Sequence, residues 1–248
     1  MKKLIYIDLN ADVGEGFGNE LELMPFLSSC NIACGGHAGD LQTMMTVVKL
    51  AKSNNVKIGA HPSFPDKANF GRLPMEISHE ELYTNLLAQI LDLEKVARIV
   101  GMRLNHVKPH GALYNLAAKD IATAKIIVTV IKSLNDSALK LYAPYNSEIA
   151  KIAKQENIEV IFEGFADRNY NDDLSLVSRK NNHAILHEKE AVLNHVLHMI
   201  VQQKITTFNS LEVPIKVDTI CVHGDTKNAV EILKFLNQEL LKNGIKIQ

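Results

Sequence analysis

The sequence predicts an α/β fold, a distorted TIM-like (β/α) barrel with about seven parallel strands. Three observations predict it. Short apolar runs alternate with amphipathic helical stretches, the pattern of a parallel sheet with right-handed crossovers. The length of 248 residues is that of a one-domain α/β barrel, about 250 residues. The loop signatures of open nucleotide-binding sheets are missing. No G-x-x-x-x-G-K-[ST] occurs, and Gly14, Gly16 and Gly18 are spaced G-x-G-x-G around Glu15, which would repel a pyrophosphate. Residues 1–248 therefore read as a single barrel domain.

The strand candidates are 3–9, 29–34, 56–60, 103–108, 138–143, 158–163 and 217–222. They are short and mostly apolar, as expected where both faces of a strand are buried. Asp8 reads as an inward barrel residue. Asp40 caps a helix over 40–54, with Met44, Val47, Val48 and Ala51 on one face. Ser78 and Glu81 form a capping box that opens a longer helix, closed by Gly101. Leu82, Leu86, Ile90 and Leu93 point inward from it, and Leu87 and Leu91 broaden the stripe enough to support a homo-oligomer. Further helices start at Asp120, at Asn146, near Glu188 and at Thr226, the last ended by Gly244.

Composition excludes several function classes. With 27 Lys+Arg against 28 Asp+Glu, no Trp and 6% aromatics, the chain offers neither the basic surface nor the stacking platforms of a nucleic-acid binder. At 46% hydrophobic and 22% charged residues it is globular, not disordered. No apolar run reaches the roughly 18–20 residues of a membrane span. The opening MKKLIYIDLN is cut by Asp8 and reads as a strand, not a signal peptide. Cys30, Cys34 and Cys221 are too few for a disulfide framework, which points to a reducing, cytoplasmic location.

Polar residues follow the strands directly. Asn10, Asp12 and Glu15 follow the first, and His37 and Asp40 the second, in CGGHAGD. His61, Asp66 and Arg72 follow the third, and Lys108 and His110 the fourth, in VKPHGALYN. Asp167 and Arg168 follow the sixth, in FADRNY, and His223 and Asp225 the last, in CVHGD. In a parallel barrel these exits open on one face, so the residues converge on one pocket. Singly, each has a plainer role: Asp40 as a helix cap, His106 as a buried structural residue, Cys34 as packing. Together, carboxylates and imidazoles beside Gly and Pro suit metal binding or general acid–base work.

The catalytic candidates are Asp12, Glu15, His37, His61 and His110. Of these, Asp12, His61 and His110 could form a carboxylate–two-histidine metal site with open positions, although no local pair has H-E-x-x-H spacing. Lys108, Arg72, Arg168, Asp40, His223 and Asp225 are candidates for holding a substrate carboxylate or phosphate, Arg supplying a bidentate fork.

The strings DLNADVGEGFG, NIACGGHAGD, IGAHPSFPD with FGR, VKPHGALYN, FADRNY and CVHGD occur in that order. They resemble the LamB/YcsF family over residues 5–230, nearly the whole chain. The resemblance implies a barrel of the glycoside hydrolase/deacetylase type, and deacetylase-type barrels bind a divalent metal. It implies the A subunit of an ATP-hydrolysing 5-oxoprolinase, which opens the lactam of 5-oxo-L-proline to L-glutamate. ATP with Mg2+ is then a co-substrate, and the B and C subunits of 5-oxoprolinase are partners. Ala11 stands where the family commonly has Cys, so a thiol there is dispensable. Gly36 stands where Phe is usual, which would widen the pocket. ATP would meet the backbone amides of Gly14 to Gly18 or sit on a partner subunit. Two other classes fit the same residues. One is a stand-alone metal-dependent deacetylase or amidohydrolase acting on a sugar or small amide. The other is a non-catalytic subunit that presents a small molecule to partner enzymes.

Overall fold

The apolar runs become strands nearly where the pattern puts them. The computed structural model describes residues 4–226 and 228–248. Lys3, in the first strand expected, and Lys227, in the last helical stretch, lie outside the described residues. The strands are β1 (Ile5–Val13), β2 (Ser29–Ala33), β3 (Lys57–His61), β4 (Leu104–Val107), β5 (Lys140–Pro144), β6 (Val160–Phe165), β7 (Lys204–Thr206), β8 (Glu212–Pro214), β9 (Thr219–Cys221) and β10 (Ile245–Ile247). The helices are α1 (Glu20–Leu23), α2 (Leu41–Ser53), α3 (His79–Val100), α4 (Gly111–Ala117), α5 (Ile121–Ser133), α6 (Glu148–Gln155), α7 (Lys189–Leu197) and α8 (Ala229–Lys242).

Strands β1 to β6 and β9 are all parallel and close on themselves, β9 pairing with both β6 and β1. The expected seven-stranded barrel is therefore present. β10 adds a parallel edge to the first residues of β1, and β7 and β8 form a separate antiparallel hairpin. The helix caps follow the sequence at α2, α3 and α5, where Asp40, Ser78 and Asp120 accept from Thr43 N, Glu81 N and Thr123 N. At α6 the cap is Ser147 and not Asn146, which sits at a left-handed φ of 61°. The last helix begins at Ala229, three residues later than Thr226. Leu87 and Leu91 of α3 are each half-buried. Among the described residues no helix is long and apolar enough to cross a membrane, and Cys30, Cys34 and Cys221 are free and buried.

Alternation along each strand splits the residues between two environments. On β1, Ile7, Leu9, Ala11 and Val13 face outward and are buried in the apolar core. Asp8, Asn10 and Asp12 face the lumen, Asp8 as the sequence suggested, and make it polar. Buried polar groups need partners, and the lumen supplies most of them. Ser29 and Thr219 donate to Asp8 Oδ2 at 2.7 and 2.6 Å. Asn10 Nδ2 donates to Thr219 Oγ1 at 2.8 Å and to Glu163 Oε1 at 3.1 Å. Asn31 Nδ2 donates to Asn10 Oδ1 and to Asp12 Oδ1, both at 2.8 Å.

Candidate functional site

The C-terminal ends of the strands open on one face, and the loop after β1 turns back across it. Gly14, Gly16 and Gly18 make that turn with left-handed φ of 74°, 89° and 72°, a region glycine enters without a steric cost. The turn drops the Glu15 carboxylate among three histidines. Its Oε1 lies 2.9 Å from His37 Nε2, 3.4 Å from His110 Nδ1 and 3.8 Å from His61 Nε2. The His37 and His110 rings stack at 3.6 Å. Ligand atoms of Glu15, His37, His61 and His110 all lie within 4.8 Å of one another. Asp12 Oδ2 stands 3.5 Å from His61 Nε2.

Backbone carbonyls fix two of the rings. His61 Nδ1 donates to Lys108 O at 2.7 Å, and His110 Nε2 donates to Phe70 O at 3.0 Å. A carbonyl only accepts, so the remaining nitrogens, His61 Nε2 and His110 Nδ1, carry lone pairs when the rings are neutral. These two nitrogens point at each other 2.9 Å apart. The pair requires a proton or a cation between its members. Burial disfavours a charge on His61, but Asp12 outweighs it and raises the pKa of that ring. Burial, with the neighbouring His61, holds His110 well below the ordinary imidazole range. Burial, again with His61, pulls His37 down to about 3. Burial and the charge of Asp12 push Glu15 up to about 7.

Lys108 ties the cluster to the lumen. Its Nζ meets Asp12 Oδ1 and Glu163 Oε1, each at 2.9 Å, and Cys221 Sγ at 3.2 Å. Burial opposes the ionisation of Asp12, but His61 and Lys108 overcome it and hold the carboxyl well below its usual range. With Oδ1 taken by Lys108 and Asn31, Asp12 presents Oδ2 to the site.

A cavity of about 370 Å³ lies above, lined by Asp12, Glu15, His61, Lys108, His110 and His223 among others. His223 reaches it from the end of β9, its Nδ1 held at 2.9 Å by the buried Asp167 carboxylate, which also accepts from Thr226 Oγ1. Its Nε2 makes no hydrogen bond among the described residues, and the residue lines the cavity. At the mouth, Asp225 Oδ2 accepts from Arg72 Nη2 at 2.6 Å and from Arg179 Nη1 at 2.7 Å. Arg72, Arg168 and Arg179 all line the cavity. Arg168 also donates to Val177 O at 2.7 Å and so pins the loop that carries Arg179.

The structure thus brings together Asp12, Glu15, His37, His61, Lys108 and His110, with Arg72, Arg168, His223 and Asp225 around them. Asp40 stands apart as the cap of α2, its carboxylate on Thr43 N. Gly36 does not widen the cavity: a Cβ there would meet Gln89 Oε1 and Ser63 Oγ at 2.4 Å. Three residues of the site carry no signal in the sequence. Glu163 ends a strand candidate among apolar neighbours, Tyr114 sits inside VKPHGALYN, and Arg179 lies in a loop with no motif.

Fold and site together define the class: an α/β-barrel enzyme with a buried carboxylate–imidazole cluster at the C-terminal mouth. The LamB/YcsF family model matches residues 7–248. The chain belongs to the LamB/YcsF family. It is 42% identical over 247 residues to the A subunit of 5-oxoprolinase from Staphylococcus aureus strains MRSA252 and N315, covering 98% of each chain. It is similar to the crystal structure of a lactam utilization protein from Thermus thermophilus, with a TM-score of 0.91, 34% identity and coverage of 98% and 99%. A GH113 β-1,4-mannanase shares the fold alone, at a TM-score of 0.52 and 12% identity, with coverage of 98% and 99%.

Proposed function

We propose that this chain is the A subunit of a cytoplasmic 5-oxoprolinase, opening the lactam of 5-oxo-L-proline to L-glutamate with ATP hydrolysis. The observation that carries the reading is the Asp12–Glu15–His61–His110 cluster facing His223 across one cavity. The likeness to proteins named for the same chemistry supports it. An unstrained amide is a poor electrophile. Its cleavage needs a polarised carbonyl, an activated water and a proton for the departing nitrogen.

Asp12 Oδ2, the oxygen left open by Lys108 and Asn31, takes the proton of the attacking water. His223 Nε2, oriented by Asp167, delivers a proton to the nitrogen on the far side. Arg72 and Arg179 hold a carboxylate or phosphate at the mouth, where Asp225 now engages them. Lys108 is saturated by two carboxylates and serves to fix Asp12.

The donor set of the cluster fits a divalent cation. The facing lone pairs of His61 and His110, with Glu15 and His37 beside them, form the borderline nitrogen–oxygen set that suits Zn2+ and related ions. Glu15, His37, His61 and His110 would hold it, in place of the Asp12–His61–His110 set. Such an ion supplies Lewis acidity toward the carbonyl or the water. ATP activates the amide oxygen by phosphorylation, and the nucleotide sits on the B or C subunit or on the Gly14–Gly18 amides.

The test is glutamate release from 5-oxo-L-proline by the purified chain, with and without ATP and the two partner subunits. Release only with ATP and partners, abolished by Asp12→Asn and by His61→Ala, supports the reading. Release without ATP would instead indicate a metal-dependent amidohydrolase, the reading that the Glu/His cluster would then carry.

A further inference from the structure

Two stretches of chain meet at the mouth of the cavity. One is the end of β1 with its turn, which carries Asp12 and Glu15. The other follows β9 and carries His223 and Asp225. The ladder between the two strands ends where Val222 N donates to Asn10 O at 3.0 Å. Beyond it the chains stay pressed together at Gly224. A Cβ on Gly224 would lie 2.7 Å from the carbonyl oxygen of Asp12 and 3.7 Å from Leu23 Cδ1. The nearer atom is backbone, so no side-chain rotation makes room, and only glycine allows so close an approach.

A second contact holds Gly224 in place. Asn19 Nδ2 donates to Gly224 O at 2.9 Å. Asn19 is the N-cap of α1, a position where Asn ordinarily accepts from its own helix. Here its side chain makes no capping bond and reaches across to the other loop. The next residue grips the near loop, Glu20 Oε1 accepting from Gly14 N at 3.1 Å. The start of α1 is thus a bracket, with Glu20 on the β1 turn and Asn19 on the β9 loop.

The two groups that the bracket spaces are each oriented from elsewhere. Lys108 and Asn31 hold Asp12 Oδ1. Asp167 holds His223 Nδ1, and the imidazole lies nearly flat on Phe165, centroids 5.0 Å apart and planes 13° from parallel. One hydrogen bond leaves a ring free to pivot about it, and the stack removes that freedom. What remains to be fixed is how far apart the two loops stand.

We propose that Gly224, held by Asn19, is the spacer that sets the separation of Asp12 and His223, so that one amide group fits between proton acceptor and proton donor. Both are positioning residues, since neither touches the reacting atoms. In a wider gap the acceptor reaches the water or the donor reaches the nitrogen, but not both at once. The inference rests on the roles given to Asp12 and His223 above and adds what fixes their distance.

The test uses the chain assembled with its partner subunits, ATP and 5-oxo-L-proline. Gly224→Ala should lower kcat by about 100-fold, as expected when a reacting group is misplaced by about 1 Å. Asn19→Asp keeps the shape but loses the donor, and should lower kcat by about 10-fold with KM near wild type. The solvent deuterium isotope effect on kcat should rise in both variants, because proton delivery slows. Loss of folded protein would lower activity without moving that isotope effect. Crystal structures supply a reading apart from turnover: in Gly224→Ala the β9 loop should stand back from Asp12. If Gly224→Ala does not fold, Asn19→Asp carries the kinetic test and its own structure the geometric one. Unchanged kcat, an unchanged isotope effect in both variants, or a loop that keeps its place would each overturn the spacer. A wild-type assembly that opens no lactam would overturn the activity, and the variant structures alone would then decide the spacer.

Discussion

Gly59 and His106 are register partners on β3 and β4, and a Cβ on Gly59 would lie 2.1 Å from His106 Nε2. The imidazole occupies the space that any other residue at position 59 would claim. From there Nε2 donates to Asn31 Oδ1 at 2.7 Å, while the ring stacks on Tyr142 at 3.7 Å. Asn31 is thereby turned so that its Nδ2 reaches Asp12. A glycine on one strand thus helps to fix a carboxylate two strands away.

Gly59→Ala is expected to destabilise the barrel by about 1–3 kcal/mol through overpacking. His106→Ala should cost about 2–4 kcal/mol by leaving a void and an unpaired Asn31 oxygen. The double variant should fall short of the sum by about 0.5–3 kcal/mol, since removing the ring relieves the clash. Urea denaturation of the four proteins measures the cycle. Strict additivity would contradict the arrangement.

Zn2+ or Mn2+ is expected to bind at the Glu15–histidine cluster and to stabilise the fold. At about 100 times its dissociation constant the gain is about 2.7 kcal/mol. Calorimetric melting shows the gain, and a chelator removes it. His61→Ala and His110→Ala should each abolish it. A melting temperature that ignores the metal in the wild type would refute the expectation.

His195 lies on α7 beside Tyr170, where burial lowers its pKa to about 4 and its Nε2 has no partner among the described residues. The unfolded chain binds a proton there below about 6.5, while the folded chain resists until about 4. Stability is therefore full above about 6.5 and falls with pH down to about 4, by about 3 kcal/mol over the window. His195→Leu should flatten that part of the stability–pH curve relative to wild type. Parallel curves for the two proteins would argue against a neutral buried ring.

Asp225 holds the place of an anionic ligand between Arg72 and Arg179. Removing it frees both guanidinium forks for an outside anion. Asp225→Ala is expected to bind inorganic phosphate about 10-fold more tightly than wild type, and Asp225→Ala with Arg179→Ala to lose that gain. Equilibrium dialysis with labelled phosphate reads both, and unchanged affinity in Asp225→Ala would count against the stand-in role.

Most of the barrel was legible because each of its strands is an apolar run between polar exits. The pieces that escaped are short or uncapped. β7, β8 and β10 have three residues each, too few to show a period. α4 follows His110 at its N-cap, whose side chain makes no capping bond. The site was legible where function crowds the strand exits, as at His37, His61 and His110. It was not legible where a residue works from inside a strand. Glu163 sits in IEVIFE, and only closure of the barrel turns it toward Lys108. Asn31 and His106 are ordinary letters until the lumen pairs them. Asp40 illustrates the converse, a strand-exit acid whose work is local capping.

The tie of Arg72 and Arg179 to Asp225 spans three loops that leave three different strands, and its arginines reach solvent. Charges so placed are screened over about 10 Å at 0.1 M ionic strength. The carboxylates and rings beneath them are shielded from the same ions. Added salt should therefore loosen the entrance and leave the floor untouched. Entry and escape become adjustable by the medium, while the bond-breaking step keeps its own pace. A catalyst built this way separates how quickly it trades its contents from how quickly it transforms them.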